Sequence, residues 1–174
     1  MNMPQKFVMG LAAAALAAGL AAAQSKTANR LAADNMFVMT AAEGGMAEVQ
    51  MGQLAAQHAS DAMVKQFGQR MIDDHSKAND ELKKVASEQG LTLPTTVNAK
   101  QQATLDRLAK LNGAAFDRAY MQDMVKDHKE DVGEFKKEAA SGDNPQVKAF
   151  ASKTLPTLEE HLRLAEQTEK QVSK

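Results

Sequence analysis

The side chains of this sequence that could do chemistry are histidines and carboxylates set into apolar stripes. In YMQDMVKDHKEDVGEF (Tyr120 to Phe135), helical spacing puts Met121, Met124, His128, Val132 and Phe135 on one face. A near-copy lies upstream. RMIDDHSKANDELKK (Arg70 to Lys84) aligns without a gap on DMVKDHKEDVGEFKK (Asp123 to Lys137), which superimposes Met71 on Met124 and His75 on His128. Two further ionisable residues stand in such stripes, Glu48 and His161, and Asp131 follows His128 by about one turn. Imidazoles and carboxylates brought together from separate helices are a metal-ligand set. The same groups can instead satisfy one another as a buried polar layer, which fixes helix register at some cost in stability.

The candidate metal ligands are therefore Glu48, His75, His128, Asp131 and His161. Each of these histidines directly follows an acid: Asp74-His75, Asp127-His128 and Glu160-His161. Neighbours in a helix point ~100° apart, so each acid flanks the core and can accept a hydrogen bond from a histidine on the next helix. Asp74, Asp127 and Glu160 are the candidate supporting groups. Met71 and Met124, one turn before His75 and His128, would add soft sulfur suited to copper(I), although methionine at helical spacing more often fills a core. The imidazole and carboxylate set would equally suit zinc or a mononuclear iron. A di-iron carboxylate site wants Glu three residues before a ligand histidine. Here Ile72, Val125 and Leu158 hold those positions, which counts against an oxygen-activating oxidase. His58, beside a turn, is expected to be solvated.

Four long helices must carry these groups. The first is expected from a cap at Asp34 to about Ala59, with small inner-face residues, Gly45 and Gly52 among them. Gly44-Gly45 inside it costs roughly 1 kcal/mol per Gly relative to Ala, a cost that close approach of another helix would offset. Ser60-Asp61 is a turn and cap, and a second helix runs to about Gln89, stopped by Gly90. Leu91 to Asn98 contains Pro94 and connects to a short helix, about Ala99 to Leu111. A third long helix spans about Ala114 to Ala140. The turn Ser141 to Pro145 opens a fourth, to about Val172, in which Pro156 predicts a kink.

A second repeat relates the pairs. AQHASDAMVKQF (Ala56 to Phe67) resembles KEAASGDNPQVKAF (Lys137 to Phe150), and setting Val64 on Val147 brings Glu48 onto Asp131. Two hairpins related by a pseudo-twofold axis and joined by a crossover give an all-α, ferritin-like four-helix bundle, with a short extra helix in the central crossover. At ~1.5 Å per residue from the turns, Glu48 and Asp131 stand ~17–18 Å up the bundle, His75 and His128 ~22–23 Å, and His161 ~27 Å. The layers are neighbours.

The start of the chain reads as a signal peptide. Lys6 precedes an apolar run from Phe7 to Ala23, and Ala21-Ala22-Ala23 fits a cleavage site. The expected organisation is a signal peptide over 1–23, a flexible leader over 24–33 and the bundle over 34–172. Export to the periplasm or beyond the cell would follow, and no later stretch is long enough to span a bilayer. With no cysteine there are no disulfides, so packing must supply the stability. The formal net charge is −1, and basic and acidic residues are interspersed. Without a basic block, nucleic acid and anionic membrane surfaces are not expected partners. A homo-oligomer or an envelope protein is the kind of partner left open. There is no cysteine nucleophile, G-x-S-x-G motif, phosphate-binding loop or dinucleotide fingerprint.

Three segments carry a family resemblance: AAEGGMAEVQMGQLAAQHASDAMVKQFGQRMIDDHSKANDEL, GAAFDRAYMQDMVKDHKEDV and KAFASKTLPTLEEHL. Together they resemble the DUF 4142 family of bacterial exported proteins across nearly the whole chain after the leader. The resemblance implies a ferritin-like bundle behind a signal peptide and no established activity. Members are often labelled outer-membrane proteins, yet nothing here alternates like barrel strands. A more distant similarity is to Met/His-rich periplasmic copper-binding bundles, whose clusters are denser. The leading expectation is an exported binding or stress-related module with a buried His/carboxylate centre, leaning away from enzyme activity. The alternatives are a structural or protein-interaction bundle with an internally satisfied polar layer, and a diverged metal-dependent oxidase.

Overall fold

The computed structural model describes the backbone of residues 11–174 and the side chains of residues 31–174. Residues 1–10, where the presumed signal peptide begins, lie outside the described residues, as do the side chains of the rest of that segment. Five helices follow in order: α1 (Leu11–His58), α2 (Ala62–Glu88), α3 (Ala99–Leu108), α4 (Gly113–Ser141) and α5 (Pro145–Val172). The chain is an all-α bundle of four long helices, with the short α3 in the crossover between the two hairpins.

Local chemistry sets most of the boundaries. Asp61 caps α2 by accepting from the Met63 N–H at 2.7 Å and the Val64 N–H at 3.4 Å. Gly90, at φ 66°, takes the left-handed conformation that ends α2. Asn98 opens α3 with a capping box to Gln101, and α3 stops at Leu108 rather than Leu111. Asn144 caps α5, with Pro145 at its first turn. The helix continues through Pro156.

Two readings at α1 need correction. The helix runs on upstream of Asp34, through the 24–33 stretch expected to be a leader, so Asp34 does not cap it. Its carboxylate reaches across the bundle instead, accepting the N–H of Asp143 at 3.1 Å and of Asn144 at 2.6 Å. Asp117 on α4 does the same for the other turn, accepting from the Ser60 N–H at 3.0 Å, the Asp61 N–H at 3.0 Å and the Ser60 hydroxyl. The alignment that sets Val64 on Val147 also sets Asp34 on Asp117. Each hairpin turn is thus closed by an aspartate from the opposite hairpin. His58 is the second correction: it is half-buried, its Nδ1 lies 2.9 Å from the Leu111 carbonyl, and its ring stacks on Phe116.

These ties fix the directions. α1 runs toward the α1–α2 turn and α4 away from it, so they are antiparallel, and each hairpin is antiparallel internally. α2 and α4 run parallel on a diagonal. That explains why their near-identical segments present Met71 and Met124, and His75 and His128, at matching heights. Gly52 and Gly68 carry the closest approach of α1 to α2: a Cβ on Gly52 would stand 2.6 Å from the Gly68 carbonyl oxygen. Gly45 is likewise hemmed in by Asn79.

The apolar core is split. One cluster, including Met51, Phe67, Met71, Phe116, Tyr120 and Met124, fills the end near the α1–α2 turn. The other, including Phe37, Leu82, Val132, Phe135, Phe150 and Leu158, fills the opposite end. Between them lie the buried groups Glu48, His75, His128 and His161, at most 7% exposed.

Candidate metal centre

Each long helix delivers one side chain to this middle layer: Glu48 from α1, His75 from α2, His128 from α4 and His161 from α5. The apolar period of each helix turns these positions inward, since the residues a turn either side must be buried. One ligand nitrogen from each of His75, His128 and His161 lies within 4.8 Å of the others. His128 Nε2 and His161 Nδ1 are 3.3 Å apart. Glu48 joins from below, its carboxylate in contact with His75 Nε2 and 3.4 Å from His128 Nδ1.

Second contacts orient two of the rings. His128 Nδ1 lies 2.9 Å from the backbone carbonyl of Met124, one turn earlier. His161 Nε2 lies 3.0 Å from the Asp74 carboxylate on α2. The latter is the cross-helix acid–histidine contact expected of residues flanking the core. Asp127 and Glu160 behave otherwise. Half-buried Asp127 faces an outer groove between α1, α3 and α4. Glu160 lies near the surface and accepts from Arg163 at 2.7 and 2.8 Å. Asp131 also lines that outer groove and is not part of the ligand group the three histidines form. Met71 and Met124 are fully buried in the apolar cluster below the layer.

The electrostatics follow from this placement. Burial would raise the Glu48 carboxyl, but His128 and His75 outweigh it and bring it down to about 2. Burial would lower the His75 imidazole, and Glu48 against it holds it above the ordinary value. His128 is lowered, chiefly by burial, with the His75 charge adding to it. Burial takes His161 to about 4, despite the hydrogen bond to Asp74. Asp74, half-exposed to desolvation but bonded to His161 and Arg70, is lowered. In the groove, burial and then the Glu48 charge push Asp127 up to about 6 and Asp131 well above the carboxylate range. The Tyr120 hydroxyl is buried without a hydrogen-bond partner, and burial raises it.

The proton count at the His128–His161 contact does not close. Burial favours the neutral form of both rings, in which each carries one N–H. If His128 donates from Nδ1 to Met124 and His161 from Nε2 to Asp74, two lone pairs face each other at 3.3 Å. Moving either proton inward leaves a lone pair against the Met124 carbonyl or the Asp74 carboxylate. A cation held between the rings, a proton or a metal ion, closes the count. Two nitrogens bound to a tetrahedral ion at ~2.0–2.1 Å stand about 3.3 Å apart, so the observed edge has the spacing a metal requires. The His75 nitrogen must draw closer than 4.8 Å to complete such a set.

Fold and centre define a class: an all-α bundle of four long helices around a buried imidazole/carboxylate layer. The chain belongs to the family described as Domain of unknown function (DUF4142), whose model matches residues 17–168. It is similar in structure to a DUF305 fragment from Deinococcus radiodurans, at TM-score 0.70 and 12% identity, covering 80% of this chain and 96% of that one. A DUF305 protein from Streptomyces coelicolor is similar at TM-score 0.69 and 15% identity, covering 81% and 92%. At such identities the likeness is one of fold. No curated protein matches the sequence. Among the described residues no helix is long and apolar enough to cross a membrane.

Proposed function

We propose that the protein is an exported metal-binding module that holds one divalent first-row transition ion, zinc or copper(II), in the layer between its two core clusters. The observation that carries this reading is the pair of opposed ring nitrogens, His128 Nε2 and His161 Nδ1, at 3.3 Å, the spacing of two ligands on one tetrahedral ion. His75 is the third ligand, and the Glu48 carboxylate, against His75 and the Nδ1 edge of His128, supplies counter-charge to the layer. Asp74 and the Met124 carbonyl hold the outer nitrogens of His161 and His128, as outer partners of metal-ligating histidines do. Nitrogen donors favour these ions over copper(I), because the two methionines belong to the core below. Export rests on the signal peptide read over residues 1–23.

Metal analysis of the purified chain, paired with a His75→Ala/His128→Ala double variant, tests the proposal. One equivalent of metal is expected in the wild type and none in the variant. Adding metal to the stripped wild type at a hundredfold excess over Kd should stabilise it by about 2.7 kcal/mol. A metal-free protein whose melting is unchanged by zinc or copper overturns the reading. That result would favour the second one, a self-satisfied structural layer, which the Glu48–His75 contact supports.

A further inference from the structure

A groove of about 250 Å³ opens between α1, the α3 segment and α4, and its inner wall includes buried Glu48. Gly44 and Asp131 line both this groove and a smaller cavity of about 30 Å³ that His75 also lines. A cavity of that size exceeds the ~10–15 Å³ a single water needs. Only the Gly44 and Asp131 wall stands between the outer groove and the cavity beside His75.

Charge and packing along it are unusual in two ways. The α4 wall carries Asp123, Asp127, Glu130, Asp131 and Glu134, with Lys100 and Lys126 as the basic lining residues. Arg107 pairs with Asp123 and Lys126 with Glu130, while Asp127, Asp131 and Glu134 make no ion pair among the described residues. Gly44 is the second oddity. A Cβ there would meet nothing within 4 Å, whereas one on Gly45 would collide with Asn79 Oδ1 at 2.1 Å. Glycine inside a helix costs ~1 kcal/mol against alanine, and at Gly44 no packing contact requires it. What its missing side chain leaves is the opening itself.

We infer that this groove is the entry path for the cation, with the charged carboxylates of its α4 wall, Asp123 and Asp127 among them, drawing it in and Gly44 keeping the passage clear. The inference rests on the metal-binding reading and adds the route by which the ion arrives. A second groove of about 150 Å³ reaches His75 and His161 from the α2–α5 face, but its Lys77 and Lys153 pair with Asp74 and Glu81, so it lacks the acidic excess of the first.

Stopped-flow mixing of the metal-free full chain with Zn2+ and an indicator dye reads uptake, and equilibrium titration reads Kd. Gly44→Leu should slow association and dissociation together by tenfold or more, with stoichiometry of one and Kd within threefold of wild type. Asp123→Asn/Asp127→Asn should slow association severalfold at low salt, with the gap closing as salt rises. Thr157→Leu, in the opposite groove, should leave the rates unchanged. Equal rates in wild type, Gly44→Leu and the Asn pair, with Zn2+ still bound, overturn the route alone. Slowing by Thr157→Leu instead overturns it in favour of the other face. A wild type that takes up no Zn2+ removes both the route and the centre. Should Gly44→Leu fail to fold, the Asn pair and its salt dependence decide.

Discussion

Glu48 sits against two imidazoles that burial lowers alike, one of which, His75, it holds above the ordinary value, and its own behaviour with pH follows. Its folded value, about 2, is below the ordinary 4.5. A carboxyl lowered on folding adds stability that is fully present above pH 4.5 and lost as pH falls through about 2. Glu48→Gln should therefore destabilise the metal-free protein by a few kcal/mol at pH 7, because His75 loses its buried counter-charge. The gap should narrow between pH 4.5 and 2. Urea unfolding of both proteins across that range measures it, and a pH-independent gap would contradict the account. Asp74→Asn belongs to the same scale. It leaves His161 in place but loosens its orientation, and Zn2+ affinity should fall by about 10–100-fold in an equilibrium titration.

Glycines of equal cost in isolation should behave differently once the helices pack. A Cβ on Gly68 would stand 2.6 Å from the Ala55 Cβ and 3.1 Å from the Gly52 carbonyl oxygen. Gly68→Ala must push α2 off α1 and should cost about 1–3 kcal/mol despite better helix propensity. Gly133, with nothing within 4 Å, should gain up to about 1 kcal/mol on the same change. Thermal melts of the two variants give opposite signs if the packing is as described. The contrast also marks what the sequence could disclose. A 3.6-residue period names the buried face, so Met71, His75, Met124, His128, Val132, Phe135 and His161 were legible as inward-facing, and the turns at Ser60 and Asn144 were legible from cap chemistry. How each helix is rotated against its neighbours is not in the period. Asp74, Asp127 and Glu160 look alike on paper, each just before a histidine. Only Asp74 meets another helix's ring, since α2 lies beside α5, while Asp127 turns to the groove and Glu160 to Arg163.

Across the whole molecule, Asp34 and Asp117 tie the two hairpins together: buried carboxylates, at 3% and 2% exposure, each serving the other hairpin's turn. Neither role shows in local sequence, because the donors are backbone N–H groups far along the chain. Replacing either by Ala leaves buried donors without acceptors and should cost about 1–3 kcal/mol. The two sit at opposite ends of the bundle with no shared partner, so the double variant should cost the sum to within ~0.5 kcal/mol. A chemical-denaturation cycle on the four proteins tests this, and strong coupling would mean that the ends communicate.

That exchange of aspartates makes the halves interdependent. If the chain were severed in the crossover between Glu88 and Gly113, each fragment would keep an unfastened turn and carry away the clasp for its counterpart. The fragments would thus bear matching ends, and two intact copies meeting while unfolded could swap hairpins through the same connection.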